Sequence, residues 1–484
     1  MFSTRIVLLW HISIVCILYL LQGFIQGFAK SIPLYLASYK ASWKEQGTFS
    51  WVSYPYSFKI LWAPVMDSVY SRRFGRHQTW LIPIQFFIGI ILFILAFYLE
   101  SLLINLRAVA LTSVFFVLYF LISSQDIVVD GWAVSLFNDI NPQWASTCQI
   151  IGQTFGIFIG STILMIFESS NFTNKYIRSP LSLPNQSYGL FSLRQFTIFW
   201  AILFLVVSIL LLIMSFYEKQ SNKITDTNYK NEPEAKLKIL ETYLDILKLL
   251  KKRCMQKLIL ITITFSIGFA ATNFMTDLTL LGYGITRDTL ALVNIPLILA
   301  RLLAPVCLSK TRRPLIWFTR GYIPRLVACL ILAIYIFFTP QLLQTSFFYP
   351  ILIVLFCLNE LFVYLMTVSI IGFFARISEP RIGGTYMTLL ATLYNLGHAL
   401  SSTLVLYIAE WLPKAYAYSI EIGVCLLFGL IWIILMWHMV RDLGTLPIED
   451  WYLKPSAAVT VSTANAVSHI NIMDDNVNVC SSNV

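Results

Sequence analysis

Apolar runs dominate this chain, and short polar stretches punctuate them. A helix needs about 20 predominantly apolar residues to cross a hydrocarbon core, and only helices or closed barrels satisfy their backbone there. The runs lack the alternation of a barrel strand, so they predict membrane-spanning helices. The pattern places these at 5–29, 47–66, 80–99, 108–137, 146–168 and 195–216, then at 256–282, 289–308, 321–338, 347–374, 384–408 and 417–440. The expected architecture is an all-α polytopic membrane protein, with about twelve transmembrane helices in two six-helix bundles. Residues 1–216 form one bundle, 217–255 a connection, 256–440 the second bundle, and 441–484 a disordered polar tail. The first run follows Arg5 directly, is too long for a signal-peptide core and has no small-x-small cleavage site, so it reads as a retained helix.

Polar positions orient the helices, because excess Lys and Arg marks cytosolic loops. One side collects Arg72, Arg73 and Arg76, the connection's Lys219, Lys223, Lys248, Lys251, Lys252 and Arg253, and then Lys310, Arg312, Arg313, Arg320, Arg376 and Arg381. Both termini fall on that side. The opposite loop, 169–194, carries glycosylation-type triplets at Asn171 and Asn185. Within the connection, 217–233 is polar and expected to be flexible. Residues 234–253 string Leu237, Leu240, Leu244, Leu247 and Leu250 along one helical stripe. Such a helix either lies on the cytosolic leaflet or packs on the bundle.

Composition supports the membrane reading and narrows the function. Only 12% of residues are charged and 58% are hydrophobic, far from a soluble domain. The net charge of +10 is explained by the loops, so no nucleic-acid partner is expected; the partners are the lipid bilayer and a small molecule. Eight scattered cysteines suggest neither a disulfide framework nor a zinc site, and no metal or cofactor is expected. No phosphate-binding G-x-x-x-x-G-K-S/T loop occurs. Two six-helix halves around a polar connection are the layout of a secondary transporter with a central site.

Ionisable residues inside spans cost a few kcal/mol each and mark functional positions or partners. Gln125, Asp126 and Asp130 lie in the fourth span, the two aspartates on one helical face. They suit proton coupling, or each pairs with a neighbouring cation. Lys59, with Tyr56 on its face, and Arg301 are candidate anion-binding groups, one from each half. The alternative is two buried ion pairs, Lys59 with a fourth-span aspartate and Arg301 with Glu360. Glu360 is a third proton-coupling candidate, and Tyr56, Gln125, Tyr364, Tyr386 and Asn395 complete the expected substrate site with Lys59 and Arg301. Asp67 with Arg72, Arg73, Gly75 and Arg76 forms either a cytosolic gate or a topogenic signal. His11, His398 and His438 read as satisfied bundle residues, with no setting for acyl transfer, so no enzyme is expected. Gly152, Gly156 and Gly160 form a small-residue packing ridge.

Several long strings carry a family resemblance: YPYSFKILWAPVMDSVY with FGRHQTW, SQDIVVDGWAVSLF with ASTCQIIGQTFG, GYIPRLVACLILAIYIFFTP, and VYLMTVSIIGFFARISEPRIGGTYMTLL with TLYNLG. The chain resembles the acetyl-coenzyme A transporter family (solute carrier family 33) of the major facilitator superfamily, whose signature loop the 67–76 stretch matches. The resemblance implies an endoplasmic reticulum membrane and import of cytosolic acetyl-CoA into the lumen, the tyrosines stacking on adenine or lining the path. It also implies a distant relation to muropeptide permeases. The chain departs from the pattern at Ser266, Asn273 and Thr279, where lysine, aspartate and lysine are expected. It departs again at Ala391 and at His398-Ala-Leu-Ser401. These changes leave open a carrier of another bulky organic anion, or a non-transporting receptor or scaffold descended from a carrier.

Overall fold

The computed structural model describes residues 2–71, 74–75, 77–137, 143–225, 239–299, 301, 314–378 and 383–453. Among them there is no strand, and ten helices are long and apolar enough to cross a membrane. In the first half these are α1 (Phe2–Ser38), α5 (Gln78–Ile104), α6 (Ala108–Phe137), α7 (Ala145–Glu168) and α8 (Leu193–Thr225). In the second half they are α10 (Arg253–Gly282), α12 (Pro314–Phe337), α13 (Phe348–Ile377), α14 (Gly383–Trp411) and α15 (Ala417–Thr445). The 47–66 span is broken into α2 (Trp43–Ser50), α3 (Tyr54–Phe58) and α4 (Ala63–Ser68), joined by tight 3-10 turns. Pro55 and Pro64 stand in the first turns of α3 and α4, where a missing N–H and a fixed φ interrupt a helix. Of the 289–308 span, α11 (Arg287–Val293), residues 294–299 and Arg301 are described.

Three expected boundaries are corrected. α1 does not stop at residue 29 but runs through Lys30 and Pro33 to Ser38. α8 stays helical to Thr225, beyond the expected start of a flexible connection. The tail is folded at its beginning: α15 continues to Thr445, and Trp451 is 1% exposed. The Tyr386 hydroxyl donates to the Trp451 carbonyl at 3.3 Å, and Lys252 donates to the carbonyls of Asp450 and Tyr452.

Of the connection, α9 (Ile239–Leu250) is described. Ile246 and Leu249 are buried in the second half, and the Tyr243 hydroxyl donates to Leu61 at 2.5 Å. Leu240, Leu244 and Leu247 stay exposed. The helix therefore docks on the bundle, with Leu250 of the expected stripe packed on its core and Leu240, Leu244 and Leu247 facing outward; Leu237 lies outside the described residues.

α1 and α7 approach closely along the first half. A Cβ on Gly156 would lie 2.1 Å from the Leu20 carbonyl oxygen, and one on Gly27 would lie 2.3 Å from that of Ile157. The ridge read from the sequence thus seats two helices backbone to backbone.

The two faces of the molecule differ. One, the linker face, carries α9 and Trp451. The other, the gate face, carries the ends of α1, α7, α10 and α14. One continuous buried core covers the first half and the gate-face part of the second, including Ala291, Leu297 and Leu406. The linker-face part of the second half has a second core, which Ile60 of the broken second span joins. The halves are fused at the gate face.

Candidate functional site

A cavity of about 530 Å³ lies between the halves, within the roughly 300–1,000 Å³ range of ligand sites. α1 contributes Lys30, Pro33 and Leu34; the broken second span contributes Gln46, Phe49 and Ser50; α6 contributes Tyr119. Opposite stand Asn273 and Asp277 of α10, Arg301, Arg325 of α12, Asn359 and Glu360 of α13, and His398 and Ser402 of α14. Three cations and two carboxylates therefore face a single space. Arg301 Nη2 donates to Glu360 Oε1 at 3.1 Å, and Asp277 lies within electrostatic reach of both. Arg325, 2% exposed, donates from Nη2 to Asn273 Oδ1 at 3.0 Å, and its guanidinium carbon lies 3.9 Å from the Phe269 ring centroid. Lys30 is accessible to solvent in this wall. Pro33, lacking an N–H, leaves the carbonyl of Ala29 without its helical partner, and Ala29 also lines the cavity.

The first-half residues expected to bind substrate form a network behind this wall. Lys59 Nζ meets Asp126 Oδ2 at 2.6 Å, with both side chains nearly buried. Gln22 Nε2 donates to Asp126 Oδ1 at 2.6 Å and to the Tyr56 hydroxyl at 2.8 Å. Tyr56 packs edge-on against Tyr119, which does line the cavity. The Tyr19 hydroxyl and Gln149 Nε2 donate to Asp130 Oδ1 at 2.6 and 3.2 Å. Gln125 accepts from Gln85 at 2.8 Å and donates to the Leu18 carbonyl. The ion-pair geometry is present for Lys59 with Asp126 and for Arg301 with Glu360; Asp130, expected to pair with a cation of its own, is held instead by the neutral donors Tyr19 and Gln149.

Arg301 and Glu360 thus reach the cavity, whereas Tyr56, Lys59, Gln125, Asp126 and Asp130 stand one layer back. Tyr364, Tyr386 and Asn395 are also absent from its lining, and Tyr386 sits under Trp451 at the linker face. Asp67, Arg72, Arg73 and Arg76 lie outside the residues whose side chains are described; Gly75 has φ +87°, a glycine conformation. His398 differs from expectation, since it lines the cavity with Nδ1 3.0 Å from Ser266 Oγ. Ser266 is fully buried, so the contact orients the imidazole and presents no nucleophile.

At the gate face a second, larger cavity of about 950 Å³ is bordered by Lys40, Asn171 and Lys414. Gln46 and Leu278 line both cavities and so partition them. Asn171 and Asn185 are exposed on this face. Arg287 of α11 lies 3.7 Å from Glu168 and 4.1 Å from the Tyr35 ring centroid, so the halves are latched here by a cation held between a carboxylate and an aromatic ring. A partly exposed pair of this length contributes about 1 kcal/mol, or about fivefold in a closed-to-open ratio. Arg287→Gln in a Gln46→Cys background is expected to speed maleimide modification from the gate face by about that factor. An unchanged rate removes the latch.

Two bundles closing on a charged central cavity are the arrangement of a secondary transporter, and solved transporters share it. The structure matches a D-xylose–proton symporter with TM-score 0.59 at 11% identity, covering 90% of this chain and all of that one. It matches a nucleoside transporter with TM-score 0.53 at 13% identity, covering 90% and 100%. The protein is a multi-pass membrane transporter of the major facilitator fold. Sequence narrows the class further: the family model described as acetyl-coenzyme A transporter 1 matches residues 11–312 and 306–420. The chain belongs to that family. An uncharacterized protein of Schizosaccharomyces pombe is 32% identical over 409 residues, 83% of this chain and 75% of the relative. The anhydromuropeptide permease of Escherichia coli is 29% identical over 150 residues, 29% of this chain and 30% of the permease.

Proposed function

We propose that this protein carries acetyl-CoA from the linker face to the gate face by alternating access, taking the linker face as cytosolic and the gate face as the endoplasmic reticulum lumen. The observation that carries the reading is the central cavity, in a chain of the acetyl-CoA transporter family, with three cations facing two carboxylates. That excess suits a phosphate-bearing anion. Tyr119 and Phe49 offer aromatic faces in the same space, and purine stacking on such a face is worth about 1–3 kcal/mol where it has been measured in nucleic-acid sites. The exposed triplets at Asn171 and Asn185 are compatible with a lumenal gate face.

Coupling to protons is part of the proposal. Of Asp126, Asp130 and Glu360, Glu360 borders the cavity and shares Arg301 with Asp277. The two aspartates of α6 then serve as the ionic frame that positions the broken second span. A second reading, transport of another bulky anion, is favoured by the partial match to a muropeptide permease and by Asn273, which gives Arg325 a neutral partner.

Uptake of radiolabelled acetyl-CoA into proteoliposomes tests the proposal, with free CoA and ATP as competitors and with or without a pH gradient. Saturable uptake blocked by CoA is expected, and Glu360→Gln should abolish its gradient dependence. A well-folded preparation without uptake contradicts acetyl-CoA as the cargo.

A further inference from the structure

The charges around the central cavity do not cancel locally. Arg301 is held by Glu360 and lies near Asp277, which accounts for both carboxylates of the wall. Two cations are left, one from each half. Lys30 makes no hydrogen bond or ion pair with any described residue, although the charges of Arg301 and Glu360 reach it. Arg325 has the neutral amide of Asn273 as its hydrogen-bond partner, and its buried Nε has none. A charge buried in the bundle without a counter-charge, as Arg325 is, is costly, and that cost is offset when a ligand supplies the missing anion; Lys30, open to the cavity, is free to meet the same anion.

We infer that Lys30 and Arg325 are the two anchors of a phosphate-bearing substrate, bound between the halves so that the anion itself bridges them. Arg325, rigid against Phe269, takes a phosphate through its planar donors, while Lys30 acts as a flexible point charge from α1. The bridge gives the substrate a differential affinity: it binds most tightly where the halves bring both cations nearest, and this is the free-energy difference that a transport cycle requires. The inference rests on the carrier reading, and it does not require that the cargo be acetyl-CoA.

Binding of two probes, CoA and inorganic pyrophosphate, to the purified full-length protein by titration calorimetry tests it. Lys30→Gln and Arg325→Gln are expected to weaken both probes by about tenfold or more, while Lys30→Arg keeps most of the affinity. Asn273→Asp, which adds a carboxylate beside Arg325 and removes no contact volume, is expected to weaken both probes without lowering the unfolding temperature. It therefore keeps the test valid if the arginine variant fails to fold. Wild-type affinity in both Lys30→Gln and Asn273→Asp overturns the inference and leaves the acetyl-CoA reading standing. Wild type that binds pyrophosphate but not CoA, with the variants weakened, upholds the inference and overturns acetyl-CoA. Wild type that binds neither probe overturns both.

Discussion

Lys59→Met is expected to cost about 3–5 kcal/mol, because it strands the Asp126 carboxylate in the bundle interior. The pair is 2.6 Å apart with side-chain exposures of 8% and 6%, so no water replaces the lost partner. The Gln22 amide still donates to Asp126, but a neutral donor does not cancel a buried charge. A double variant, Lys59→Met with Asp126→Leu, removes both charges and should recover most of that loss, since buried pairs often exchange for apolar residues at little cost. The unfolding temperature in detergent, measured across the full mutant cycle, reads out the coupling. Equal losses in the single and double variants would show that Lys59 acts through something other than Asp126. The double variant also separates structure from transport, because a pair that only frames the second span can be replaced without loss of uptake.

The second large effect belongs to the α1–α7 seam. Gly156→Leu is expected to give no folded protein, since even the first added carbon would sit 2.1 Å from the Leu20 carbonyl and 2.6 Å from the Phe24 nitrogen. The obstacle is backbone on a packed helix, so relief requires the helices to part. Overpacking of flexible side chains costs about 1–3 kcal/mol, and a clash with backbone exceeds that. Gly131→Ala is the control: a Cβ there has nothing within 4 Å, and folding should be unaffected. Size-exclusion profiles of the two variants decide the matter, and a monodisperse Gly156→Leu protein would contradict the observed seam.

What the sequence made legible follows from which forces act locally. Apolar runs long enough to span a bilayer located the helices, because each must satisfy its backbone internally. The glycine spacing in α7 was legible because close packing needs small residues; the two ion pairs were legible only as one of two readings, because a charge at membrane depth needs either a partner in the protein or a ligand. The cavity wall was not legible, and the failures share a cause. Lys30, followed by Pro33, looks like the end of a span, yet α1 continues for eight residues past the lysine. Arg325 looks like an anchor near a cytosolic end when the helix is started at 321. Starting at Pro314 carries it about three turns into the bundle. In both cases a few residues of helix length decide whether a cation faces lipid headgroups or substrate. Trp451 stands out little in a polar tail, yet its burial at the linker face fixes the Tyr386 hydroxyl there, away from the cavity. Two of the partners of Asp126 and Asp130, Gln22 and Tyr19, are more than a hundred residues distant in sequence, and the packing of α1 against α6 brings them together.

A distance across the gate face reports whether the two sides of the membrane exchange access to the one cavity. Spin labels at Ser170 and Thr286, on opposite sides of the Glu168–Arg287 latch, follow that distance in reconstituted protein as acetyl-CoA is added. A longer-distance population should appear and grow with substrate, and Lys30→Gln should shift its onset to higher concentration. A single unchanged distance at saturating acetyl-CoA, in preparations that take the compound up, would contradict alternating access through this cavity.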